Sequence, residues 1–208
     1  RAPHVGRPQS LGVFPPRPLP APPGAISIRT CFSLLRLARG ARLPLLRYPV
    51  EVLSLERLCE FDTPTICNAI ELFAVLPRSQ GYMDPRVRAC FPELPPVAGY
   101  AATATFRGAF ERPQGASYAT LDEQVRRFEE LPGPPFVVFQ DLDDPPAAAT
   151  FGEVMCASYQ RFGAVGLVTS GAGRDLEQVR RLRFPAFTNG AICSHGYSHF
   201  VSLMTPVR

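Results

Sequence analysis

The 208-residue sequence contains no lysine and no tryptophan. All 22 of its basic residues are arginine. Without a lysine amine, catalysis through a Schiff base on such a side chain is excluded. The six cysteines (Cys31, Cys59, Cys67, Cys90, Cys156, Cys193) are scattered, with no CxxC pair and no dense framework. That spacing excludes a secreted disulfide scaffold and points to reduced thiols in a cytosol-like compartment. No apolar run reaches the roughly 18–20 residues that a membrane helix needs. Acidic side chains are missing from the first 50 positions, which carry eight arginines and ten prolines.

What is present is ordinary globular material: 46% hydrophobic and 19% charged residues, in a length that suits one domain. The formal charge of +4 divides unevenly, since residues 51–208 hold 14 arginines against 18 acids and are net −4. A nucleic-acid-binding core would concentrate positive charge on its folded face, so an acidic body argues against one. Residues 1–50, with runs such as "FPPRPLPAPPG", lack the donors and periodicity for packed structure and are expected to be a disordered Pro/Arg-rich segment. Two origins fit it. One is an organelle transit peptide, its amphipathic helix faint in "CFSLLRLARGARLPLL". The other is upstream sequence read into the gene, since the first methionine is Met83. The expected location is the cytoplasm, or an organelle matrix if the segment is a transit peptide.

From Val52 the texture changes. "VLSLERLCEFDTPTICNAIELF" has helical spacing broken at Pro64, which predicts two short helices, the second capped by Asp62 or Thr63. "PPVAGYAATATF" reads as a strand and "SYATLDEQVRRFEEL" as an amphipathic helix with Leu121, Val125 and Phe128 inward. "FVVFQDLDD" is a buried parallel strand ending in acids. A helix from Gly152, a strand in "AVGLVTSG", a loop "AGRD", a helix "LEQVRRL" and a strand "FPAFTNGA" complete a β-α-β-α-β series with right-handed crossovers.

In such folds ligands bind beyond the carboxyl ends of strands, where unpaired helix N–H groups face outward. Two places qualify. Gly152-Glu153-Val154-Met155 opens a helix, and glycine there lets an anion approach the backbone. Gly171-Ala172-Gly173-Arg174-Asp175 presents a guanidinium fork suited to a carboxylate beside a carboxylate suited to Mg²⁺ or Mn²⁺.

At this point the sequence resembles the RraA-like family, which includes class II 4-hydroxy-4-methyl-2-oxoglutarate aldolases, oxaloacetate decarboxylases and regulators of ribonuclease activity. The resemblance is carried by "GEVMCASYQRFGAVGLVTSGAGRDLEQVRRLRFPAFTNG", with its 22-residue step from Gly152 to Arg174, and less sharply by "DTPTICNAI" and "VAGYAATATF". It implies an α/β/β/α swivelling-domain fold over residues 51–208, assembled as homotrimers or homohexamers. It also implies a keto-acid substrate held by Gly152, Glu153, Val154, Met155 and Arg174, and a divalent metal on Asp175, with Arg174 and Asp175 catalytic. Retro-aldol cleavage or β-decarboxylation leaves a pyruvate enolate that needs either a lysine iminium or a metal Lewis acid, and only the second is open to this chain. The sequence does not identify the general base of an aldol step; Glu153, Asp141 and a metal-bound water are the candidates. The implied protein is thus a metal-dependent carbon–carbon lyase, with a non-catalytic ribonuclease regulator as the alternative. Two departures stand out. Many relatives carry Asp-Gly where this chain has Ser170-Gly171, and relatives continue past the "PVR" ending, so the C-terminal part of the domain is expected to be missing.

Each site also has a structural reading. Asp175, with Gln178 three residues on, fits a capping box. Glu153 fits a first-turn acid complementing the helix dipole. The acids of "QDLDD" fit a solvated loop. Cys193, His195 and His199 suggest zinc, but structural zinc takes four ligands and no second pair exists to complete it, so a site rim or exposed loop histidines fit better.

Overall fold

The computed structural model describes residues 54–73, 77–113 and 119–208; the Pro/Arg-rich segment of residues 1–50 lies outside these. The two short helices are present as α1 (Leu55–Leu58) and α2 (Thr63–Glu71). Asp62 caps α2 by accepting from Thr65 N at 2.7 Å, and Pro64 sits in the first turn, where its missing donor costs nothing.

Six strands form the main sheet in the order β1-β7-β5-β3-β2-β9. They are β1 (Arg88–Ala89), β2 (Tyr100–Arg107), β3 (Pro135–Asp141), β5 (Gly166–Thr169), β7 (Ala186–Thr188) and β9 (His199–Leu203). The four central strands are parallel, and β1 and β9 close the edges antiparallel. β3 is continuously apolar because both its faces are covered. Val137 and Phe139 enter the larger core with Leu167, Tyr159 and Val179. Phe136 and Val138 point the other way, to Val168 and Phe187. Residues 119–131 give α3 (Leu121–Arg126) and then a 3₁₀ turn (Arg127–Glu130), with Val125 and Phe128 buried as the amphipathic pattern requires.

A second, three-stranded parallel sheet was not legible in the sequence: β4 (Ala149–Phe151), β6 (Ala172–Gly173) and β8 (Gly190–Ala191), in the order β4-β6-β8. It corrects two expectations. "AGRD" is not wholly a loop, since Ala172 and Gly173 pair with both neighbours. "FPAFTNGA" is two strands, one in each sheet. The chain therefore repeats a step: a main-sheet strand hands over to a short strand of the small sheet. From β4 and β6 it then enters the helices α4 (Glu153–Arg161) and α5 (Leu176–Arg181).

The core under α4 contains one polar pair. Tyr159 OH donates to Gln124 Oε1 at 2.6 Å, and both residues are fully buried. Gln124 Nε2 already lacks a partner. Tyr159→Phe should therefore cost about 1–3 kcal/mol, because it leaves the other end of the carboxamide unpaired as well. Thermal melting should fall by several degrees with an unchanged far-UV spectrum.

Candidate functional site

β4 and β6 are neighbours, so the turns that leave them meet. Arg174 N donates to Phe151 O at 3.0 Å, which continues the ladder one step beyond the strands. Gly152 is the N-cap of α4 and offers no side chain to its N–H groups. That role falls to Asp175 across the turn, whose Oδ2 accepts from Glu153 N at 3.2 Å. The Arg174 Nε lies 3.6 Å from the same oxygen. A Cβ on Gly152 would stand 2.6 Å from Asp175 Oδ2 and 3.2 Å from Arg174 Cγ and Nε, so only glycine leaves room for this corner.

Asp175 is itself left-handed, at φ 55° and ψ 35°. It precedes α5 but makes no side-chain bond to it, so the capping box with Gln178 does not form. A capping side chain reaches the N2 or N3 amide from an extended backbone, and the left-handed conformation is a different one. The carboxylate instead neutralises the positive end of the neighbouring helix α4. Its Oδ1 makes no hydrogen bond among the described residues, and the side chain keeps 39% of its surface. Glu153 and Val154 are exposed and Met155 is half-buried. With Glu153 N engaged, the Val154 and Met155 amides of the first turn of α4 face outward without helical acceptors.

One exposed carboxylate oxygen fits Mg²⁺, which keeps several waters and binds through one or two carboxylates; it does not fit a metal needing a protein cage. Among the described residues no three His, Cys, Asp or Glu side chains form a group that could hold an ion. Ser170 is tied to β3: its Oγ accepts from Asp141 N at 2.9 Å.

The acids after β3 differ from the solvated loop expected. Asp143 Oδ2 accepts from Gly108 N (2.7 Å) and Ala109 N (2.9 Å), and Oδ1 lies 3.5 Å from Arg107 Nε. Asp141 is buried, with Oδ1 accepting from Asp143 N and Oδ2 unpartnered. That oxygen faces Gly171, where a Cβ would stand 2.3 Å from it and 2.4 Å from Thr150 Oγ1. Asp141 thus sits behind the glycine turn. Burial pushes its carboxyl up to about 6, with the Asp143 charge adding to this and the Asp143 N–H and Arg107 opposing. Between the ordinary value of 3.8 and about 6, the folded chain holds a proton that the unfolded chain releases. This contribution to stability is complete below pH 3.8 and is lost as pH rises to about 6. Asp141→Asn keeps the acceptor for Asp143 N and removes the charge. It should melt higher than the parent at pH 7.5, by about 1–2 kcal/mol after solvent screening, with the difference gone at about pH 4.

Sequence reasoning missed three threonines that support the turn. Thr169 Oγ1 accepts from Gly171 N (2.9 Å) and lies 3.2 Å from Thr150 Oγ1, and Thr188 Oγ1 donates to Gly171 O (2.8 Å). The signal was present: Thr-Phe-Gly at Thr150, Thr-Ser-Gly at Thr169 and Thr-Asn-Gly at Thr188, 19 residues apart each time. Cys193 and His195 are exposed, as a loop rim would be. His199 is buried on β9 with Nδ1 2.6 Å from Tyr197 O, and the three do not form a metal-holding group.

The chain is similar to several solved structures. One is described as a novel cellulase from microbes associated with the gut ecosystem, at 20% identity and a TM-score of 0.61, covering 86% of this chain and 73% of that one. Another is an uncharacterised protein from Pseudomonas syringae pv. tomato str. DC3000, at 16% identity and a TM-score of 0.55, covering 80% and 70%. At these identities the likeness speaks for the fold alone. Streptomyces coelicolor RraAS2, a member of the RNase ES inhibitor RraA family, matches at 19% identity over 51% of this chain and 50% of its own, with a TM-score of 0.41. No curated protein matches the chain. The family model described as RraA-like, Aldolase/RraA, matches residues 63–208, a span that takes in both sheets and the Gly152–Asp175 corner. The chain belongs to the RraA-like family.

Proposed function

We propose that the corner formed by Gly152–Met155, Arg174 and Asp175 binds a pyruvate-yielding α-keto acid and a divalent cation, Mg²⁺ or Mn²⁺, for carbon–carbon bond cleavage. The substrates of this reading are 4-hydroxy-4-methyl-2-oxoglutarate, oxaloacetate or both. The family includes both class II aldolases and non-catalytic ribonuclease regulators. The observation that carries the lyase reading is the pairing of Arg174 Nε with Asp175 Oδ2 at 3.6 Å, over a glycine with no room for a side chain.

In this reading Arg174 grips the substrate carboxylate, its fork giving two parallel charge-assisted bonds and a fixed orientation. The free Val154 and Met155 amides receive a second oxygen at the positive end of α4. Asp175 holds the cation through its exposed oxygen. The cation supplies the Lewis acidity that a chain without lysine cannot supply as an iminium. Glu153 is exposed at the same corner and is available to move a proton, whereas Asp141 lies behind Gly171 and serves that role only if the turn opens. Members of the family are oligomeric, typically trimers or hexamers, and the same assembly is proposed here.

Pyruvate release from both substrates, with Mg²⁺ and with excess chelator, tests the reading. The expected result is turnover above the rate of the metal alone, abolished by chelator and by Arg174→Gln. Absence of chelator-sensitive turnover on both substrates favours the regulator.

A further inference from the structure

A second cleft, of about 480 Å³, opens between the main-sheet edge strand β1 and the small-sheet edge strand β8. Its size is within the range of small-molecule sites. Arg86, Arg88, Thr188, Asn189 and Ala191 line it, with Leu176 at one side. None of Gly152–Met155, Arg174 or Asp175 reaches it.

The charge on its walls is unbalanced. Among the described residues no acidic side chain lines the cleft. Arg86 is committed, its Nε and Nη2 donating to Asp84 Oδ2 at 3.1 and 2.9 Å and its Nη1 to Asp144 Oδ1 at 3.4 Å. Arg88 stands two residues on, where the turn that holds Arg86 gives way to β1, and it lines the same cleft. Unlike Arg86, it has among the described residues no carboxylate within ion-pair distance and no side-chain hydrogen bond. Its strand register sets it opposite Thr188. An uncompensated guanidinium and Asn189 thus line a cavity otherwise walled by Ala89, Cys90, Leu176, Gly190 and Ala191, the Thr188 hydroxyl being engaged by Gly171 O.

We infer that the cleft between β1 and β8 is a binding site for an organic oxyanion, a molecule with one carboxylate or phosphate head and a small apolar body. The head meets the fork of Arg88, with Asn189 as a further polar partner. The body lies against Leu176 and Ala191. Arg86, already neutralised by two aspartates, forms a wall without adding net charge.

Calorimetric titration of the full chain with phenyl phosphate and with benzoate, beside uncharged phenol, tests the site. At least one oxyanion should bind with one site per chain, and phenol should not. Which of the two binds identifies the head group. Arg88→Gln should weaken binding by about tenfold or more, the effect of losing a charge-assisted bond. Ala191→Phe, which fills the cleft from an exposed position, should block it. Both variants should melt as the parent does, and Arg174→Gln should bind the probe unchanged. Failure of both oxyanions to bind overturns the inference, as does equal affinity in Arg88→Gln and Ala191→Phe. Loss of binding in Arg174→Gln alone also overturns it, since the probe would then sit in the other corner. These outcomes leave the pyruvate assay untouched, so the two proposals fail separately.

Discussion

Asp175→Asn should lower chelator-sensitive pyruvate release at least about a hundredfold while the melting temperature stays within about two degrees. Asparagine has the same shape, tolerates the left-handed backbone at φ 55°, and can still accept from Glu153 N through its amide oxygen. What it lacks is the charge that a hard cation requires. Losing even an outer partner of a metal ligand costs about 10–100-fold, so losing the ligand's own charge should cost at least the upper end of that range. Asp175→Ala should behave differently. It also loses the tie to α4 and the tolerance of positive φ, and should cost about 1–2 kcal/mol on top of the activity. An asparagine variant with full turnover would reduce the carboxylate to a brace between two turns, and the lyase reading of this corner would go with it.

Gly152→Ala is expected to be nearly as damaging to activity by a steric route. The new methyl would stand 2.6 Å from Asp175 Oδ2 and 3.2 Å from Arg174 Nε, distances at which one of the three groups must move. Rotating the carboxylate breaks its bond from Glu153 N and uncovers the first turn of α4. Swinging the arginine takes its fork from the position where a substrate carboxylate would lie. Either response should reduce kcat/KM by about tenfold to a hundredfold, since small misplacements of positioning groups carry large rate costs. Stability should fall by about 1–3 kcal/mol, the usual cost of an added carbon in a filled space. Full activity with an unchanged melt would show that the glycine has slack.

The elements that were readable in the sequence are those long enough to show a period. β3 and β5 are runs of buried apolar residues, α4 and α5 follow glycine turns, and Asp62 precedes Pro64 at α2. That Gly152–Met155 share a corner with Arg174 and Asp175 was implied by the family resemblance alone; the turns that leave β4 and β6 bring them together. The small sheet was not readable. Strands of two or three residues show no alternation, and their pairing is decided by the sheet beneath them. The side chain of Asp175 was misread for a related reason: Gln178 completes a capping pattern in residue types, but a positive φ cannot be read from residue types. The acids after β3 look solvated on paper, yet Asp143 is drawn inward by two backbone amides of the β2 exit, a contact 35 residues away in sequence.

Thr188 Oγ1 donates to the carbonyl of Gly171 and accepts, at 3.4 Å, from the amide of Gly190. One oxygen therefore clamps the loop that presents Arg174 to the free margin of the small sheet. The two cannot shift independently: a molecule pressing on that margin strains the same hinge that carries the guanidinium, and stiffening either end stiffens the other.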